Sequence, residues 1–135
     1  MSFVLDASVT LSWCFEDEAN EATMALLQRL NQEKAFVPAL WSLEVGNILV
    51  SAQRKNRISS AGITEFLHLL EALDIHIDQH TATRGFHEIL LLASSQQLTT
   101  YDAAYLELAM RLGLPLATKD KQLREAATRL GVMLY

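Results

Sequence analysis

The feature that most restricts the fold of this chain is an alternation of very short apolar runs with longer stretches of helical periodicity. Ser2-Phe3-Val4-Leu5, Ala35-Phe36-Val37, Ile75-His76-Ile77, Pro115-Leu116-Ala117-Thr118 and Val132-Met133-Leu134 read as strands. Between Glu18 and Asn31, Ala22, Leu26, Leu27 and Leu30 recur at helical spacing. Further helices are expected from near Ala7, over about Ala39 to Arg54, and from Ser59 or Ser60 to about Leu73. Three more are expected over Thr81 to Ser94, over Asp102 to Leu112 under a Thr100 cap, and over Lys119 to Leu130. Strands joined only through helices lie parallel, and a parallel sheet needs cover on both faces. The pattern therefore predicts an α/β fold: a three-layer α/β/α arrangement with a central, mostly parallel sheet of four or five strands. At 135 residues, with no internal repeat, low-complexity segment or linker, residues 1–135 read as a single domain.

Composition narrows the function classes. Hydrophobic residues make up 50% of the chain and charged residues 20%, which argues against intrinsic disorder. Cys14 is the only cysteine, so no internal disulfide can form, and a reducing, cytoplasmic setting is expected. Asp6 falls where the apolar core of a signal peptide would run. The longest aliphatic run, from Ile89 to Ala93, is far below the roughly 20 residues of a membrane span, so no membrane association is expected. The net charge of −5 weighs against an extended basic face for nucleic acid. It leaves room for a local basic rim around acids that bind metal.

Four acidic residues stand out. Ligands of open parallel sheets bind beyond the carboxyl ends of the strands. Asp6 ends the first strand, and Asp120 follows the Leu116-Ala117-Thr118 strand by two residues. Glu44 has Leu40, Trp41 and Ile48 as its i−4, i−3 and i+4 neighbours, which puts a carboxylate on an apolar stripe. Asp102 shares a helix face with Tyr105 and Leu106, whereas Glu107 reads as a solvated surface residue. Singly, each has an ordinary explanation: a turn or cap for Asp6 and Asp120, an N-cap neighbour for Asp102, a buried ion pair for Glu44. Together they suggest carboxylates converging in one pocket, where mutual repulsion raises pKa values and a hard divalent cation relieves it.

The residues around these acids resemble the PIN-domain ribonucleases, and most closely the VapC-type toxins of bacterial toxin–antitoxin pairs. The matching blocks are Val4-Leu5-Asp6-Ala7-Ser8, Pro38 to Asn47 with Glu44 inside it, Tyr101-Asp102-Ala103-Ala104-Tyr105, and Ala117 to Leu123 with Asp120 inside it. They span essentially the whole chain, and none of the four acids departs from the pattern. The resemblance implies a doubly wound sheet and a pocket of Asp6, Glu44, Asp102 and Asp120 for Mg²⁺ or Mn²⁺. It ties Asp6 and Asp102 most closely to the metal. Ser8 and Thr118 match small hydroxyl positions that orient the carboxylates. It further implies an endoribonuclease that hydrolyses RNA phosphodiester bonds, works as a homodimer, and is held inactive by a VapB-type antitoxin, with a hetero-oligomer as one form of that pairing. Basic residues near the acids, Lys119 and Lys121 with Arg124, and Arg54 with Lys55 and Arg57 after the Glu44 helix, are candidates for phosphate contact. An ordinary solvated helix face explains them equally well.

Other chemistry is poorly supported. His68, His76, His80 and His87 lie on different segments without a zinc motif, and read as surface or packing residues. Trp13 and Trp41 read as core or dimer-interface residues, and Cys14 as packing between Trp13 and Phe15. No Gly-rich phosphate loop occurs. Asp6-Ala7-Ser8-Val9-Thr10 also resembles the start of a haloacid-dehalogenase-type phosphatase, but Ser8 stands where that family carries a second Asp. A receiver domain would need adjacent acids after the first strand, which are absent. The alternative from another class is a non-catalytic PIN-like module retained for protein contacts.

Overall fold

A computed structural model describes residues 1–135. Its elements, in order, are β1 (Phe3–Leu5), α1 (Ala7–Ser12), a 3₁₀ turn (Glu16–Glu18), α2 (Glu21–Arg29), β2 (Ala35–Val37), α3 (Trp41–Arg54), α4 (Ser60–Ala72) and β3 (Ile75–Ile77). Then follow α5 (Thr81–Arg84), a wide turn (Gly85–Ile89), α6 (Leu90–Gln96), α7 (Thr100–Leu112), β4 (Leu116–Ala117) and α8 (Lys121–Arg129). The fold is α/β, with a four-stranded, all-parallel sheet in the order β3-β2-β1-β4 flanked by helices.

Register follows from burial. Val4 faces Phe36 on one side and Leu116 on the other, and β1 and β4 are wholly buried, so their residues are continuously apolar. The core joins this pair to Val9 and Leu11 of α1, Trp41, Val45 and Leu49 of α3, Tyr105, Leu106 and Leu108 of α7, and Leu123, Ala126 and Ala127 of α8. From β1 the chain steps outward to β2 and β3, then returns to place β4 on the opposite flank of β1. The order reverses between β1 and β4, and a crevice opens at such a switch point beyond the carboxyl ends of the strands.

Local chemistry explains most boundaries. Asn20 and Thr23 form a reciprocal capping box that starts α2, later than the Glu18 start expected, because Glu16–Glu18 closes its own 3₁₀ turn. Ser59 caps α4, and Thr99, one residue before the expected Thr100, caps α7. Gly113 ends α7 in the left-handed conformation at φ 66°.

Three expectations need correction. The helix expected over Thr81 to Ser94 is broken: His87 leaves helical geometry at φ −118°, ψ −105°, inside a five-residue turn that opens at Gly85. Such an insertion shifts the buried face, burying Ile89 and leaving Phe86 outside. The expected last strand, Val132-Met133-Leu134, is a single parallel bridge from Leu134 to Leu116. β4 offers only two ladder residues, and Pro115 before it has no N–H to extend the pairing. Glu107, expected in solvent, is 5% exposed. Arg111 donates to both of its oxygens, and Arg84 lies 3.7 Å from Oε2. No helix is long and apolar enough to cross a membrane.

Candidate active site

Asp6 leaves β1 directly, its backbone N–H bonded to the Ala117 carbonyl of β4 at 3.0 Å. That bond places it on the switch-point crevice, where it is 5% exposed. Both neighbouring hydroxyls donate to one of its oxygens: Ser8 Oγ at 2.7 Å and Thr118 Oγ1 at 2.6 Å from Oδ2. Each hydroxyl is itself held, Ser8 Oγ by the Lys119 N–H at 3.0 Å and Thr118 Oγ1 by the Asp120 N–H at 3.1 Å. The turn after β4 is thereby stitched to the end of β1, and Oδ1 of Asp6 takes neither hydroxyl.

The other acids are set in similar fashion. Asp120 caps α8, its Oδ1 accepting the Leu123 N–H at 2.8 Å, so the cap role is real for that oxygen and leaves Oδ2. Glu44 is half-buried beside the Trp41–Val45–Leu49 stripe of α3. Its Oε1 accepts a hydrogen bond from the Tyr105 hydroxyl of α7 at 2.5 Å. Asp102 sits in the first turn of α7, with the Thr99 hydroxyl capping its N–H at 3.1 Å. A helix start favours negative charge there.

The four acids lie within one another's fields. Burial drives the Asp6 pKa above the ordinary carboxylate range; the two hydroxyls oppose the rise and Asp120 adds to it. Burial also raises Glu44; the Tyr105 bond opposes this, and Asp6 and Asp102 reinforce it. Burial, then Asp120 and Asp6, lift Asp102 to about 6. Carboxylates whose charge is opposed by burial and by one another are relieved by a compensating cation. The donors are all carboxylate and hydroxyl oxygens, a hard set that suits Mg²⁺ or Mn²⁺. As they stand, no three acidic, His or Cys side chains enclose a common point. The set therefore fits a cation held by one or two carboxylates with water completing its shell, the habit of Mg²⁺.

The basic candidates divide. Lys119 Nζ donates to the Glu18 carbonyl at 2.8 Å and Arg124 Nη1 to the Thr118 carbonyl at 3.0 Å, both beside the acid-bearing turn. Lys121 opens α8 and is exposed. Arg54 is exposed ten residues beyond Glu44, about 15 Å along the helix axis, so the fold does not bring it to the acids. Arg57 pairs with Asp17 at 3.1 Å and lies over the Phe15 ring. The Tyr105 hydroxyl is a member of the site that sequence reasoning missed. The signal was present, since Tyr105 is one turn after Asp102, but its partner lies 61 residues away.

A family model described as PIN domain matches residues 3–129. Ribonuclease VapC3 of Pyrobaculum aerophilum is 28% identical over 126 residues, covering 93% of this chain and 94% of that protein. The crystal structure of PAE2754 from the same organism superposes with a TM-score of 0.68 at 24% identity, over 93% of this chain and 87% of the other. VapBC2 from Rickettsia felis, bound to a DNA fragment from their promoter, gives a TM-score of 0.70 at 12% identity, over 100% of this chain and 98% of the other. At these identities the structural likenesses speak to the fold alone.

Proposed function

The chain belongs to the PIN-domain family, and from that premise we propose that it is an Mg²⁺- or Mn²⁺-dependent endoribonuclease, the toxin of a type II toxin–antitoxin pair. The observation that carries the reading is that Asp6, Glu44 and Asp102, from three separate segments, are each opposed in their charge by burial and by other acids of the set, Asp120 among them. The name of the Pyrobaculum relative supports RNA as substrate. The resemblance to VapC-type toxins, shared with that relative by its name, supports a VapB-type antitoxin as partner.

In this reading a bound divalent cation supplies Lewis-acid stabilisation of the phosphoryl oxygens and lowers the pKa of an attached water. The residues divide the remaining work. Asp6, clamped through Oδ2, offers Oδ1 as a fixed ligand. Asp102 is the second ligand, at the start of α7. Glu44, with Oε1 on Tyr105, and Asp120, with Oδ1 in its cap, each have one oxygen left to complete the shell, hold a second metal, or take up the proton of the attacking water. Ser8 and Thr118 keep Asp6 aligned, and Lys119, Lys121 and Arg124 line the approach for phosphates.

The test is a panel of tRNA and rRNA fragments incubated with Mg²⁺, with Mn²⁺, or with chelator. Cleavage is expected with either metal and not with chelator. Equal cleavage in chelator, or none with any metal, would sink the reading.

The homodimer is proposed from the broken helix. Phe86 is 89% exposed and Leu91 71%. Phe86 lies at a groove of about 290 Å³ lined in part by Leu40, Leu90 and Tyr101. Apolar exposure on this scale marks a contact surface. Phe86→Asp is expected to convert the dimer to monomer in light-scattering chromatography without unfolding it; a dimer of unchanged affinity would remove this patch from the interface.

A further inference from the structure

We propose that Tyr105 is a positioning residue that fixes the Glu44 carboxylate and thereby decides which of its oxygens is free for a ligand. The inference rests on the metal-dependent reading above. Tyr105 is fully buried and among the largest side chains of the core. A phenylalanine would fill the same volume, so packing alone does not require the hydroxyl. What the hydroxyl does is donate to Glu44 Oε1 at 2.5 Å, across 61 residues of sequence and from α7 to α3. A buried phenol needs such an acceptor, and Glu44 is a flexible side chain on a half-exposed surface that otherwise samples several rotamers. Tyr105 is also three residues after Asp102, on the same helix face. One helical turn thus carries a proposed metal ligand and the clamp on a second acid, so α7 sets the spacing between the two carboxylates. Loss of a group that orients a ligand in this way typically costs about 10- to 100-fold in metal affinity.

The test is a double-mutant cycle of Tyr105→Phe and Glu44→Ala, read by Mn²⁺ titration calorimetry and by melting in chelator. Tyr105→Phe is expected to weaken Mn²⁺ binding by about 10- to 100-fold, while the metal-free melting temperature moves by only a few degrees. In the Glu44→Ala background the same change is expected to have no further effect on affinity. Wild-type affinity in Tyr105→Phe, or losses that simply add, would overturn the proposal. If the wild-type protein binds no Mn²⁺, the metal reading fails and this proposal falls with it; wild-type binding of Mn²⁺ that Tyr105→Phe leaves unchanged overturns the positioning role alone.

Discussion

Replacement of Asp102 by asparagine is expected to abolish RNA cleavage, by on the order of a thousandfold, and at the same time to raise the melting temperature of the metal-free protein at pH 7.5. The two effects have one cause. Asp102 has a pKa of about 6 in the fold against an ordinary value of 3.8. A carboxyl raised by folding binds its proton more tightly in the native state. Its favourable contribution is complete below pH 3.8 and is lost as pH climbs through about 6. At pH 7.5 the native protein therefore holds a charge that burial and two neighbouring acids oppose. Asparagine removes that charge with little change of shape. Melting in chelator should then rise by a few degrees at pH 7.5 and change little at pH 4. Added Mn²⁺ should stabilise the wild type at pH 7.5 and the variant much less. A variant with wild-type turnover, or one destabilised equally at both pH values, would contradict the assignment of Asp102.

The largest effect on stability is expected at Arg111, away from the proposed chemistry. Its guanidinium reaches both oxygens of Asp78, at 3.1 and 2.8 Å, and both of Glu107, the closest at 2.9 Å. The side chains of Asp78 and Glu107 are 9% and 7% exposed. Arg111→Ala leaves two nearly buried carboxylates without their main partner. The loss is expected to be on the order of 3 kcal/mol, which lowers the melting temperature of a domain this size by about 10 °C. The adjoining cavity beside Glu88, Leu92 and Met110 admits water and keeps the figure from running higher. The Arg111 bonds hold the Asp78 pKa below the ordinary range. That contribution is present above pH 3.8 and disappears as pH falls through the folded value, so the gap between variant and wild type should narrow as pH drops below 3.8. Thermal melts across pH 3 to 7.5 read it; a gap that is small at neutral pH, or that widens in acid, is the contrary result.

The structure separates what was visible along the chain from what was not. The parallel sheet was visible because each strand is a short apolar run set off by a helix, and Asp6 because a charged residue directly follows Phe3-Val4-Leu5. Glu44 and Asp102 showed themselves as carboxylates among apolar neighbours at helical spacing. What depended on distant partners did not show. Glu107 looked solvated because only Arg111 is local to it, while Arg84 approaches from α5. The Tyr105–Glu44 bond joins two helices that nothing local pairs. The break at His87 was hidden because Thr81 to Ser94 holds a single glycine and no proline, and Ile89 packs with Ala103 and Ala104, which lie well beyond it in the chain.

The strand order has a consequence for when the proposed site can first form. Its crevice exists only once β4 has paired with β1, and Thr118 and Asp120 follow β4 in a chain whose other acids start at position 6. No shorter nascent piece can assemble the four carboxylates. On the proposed chemistry, the site forms as a single event once β4 and the Asp120 turn have been added, and a product that stops before β4 lacks it.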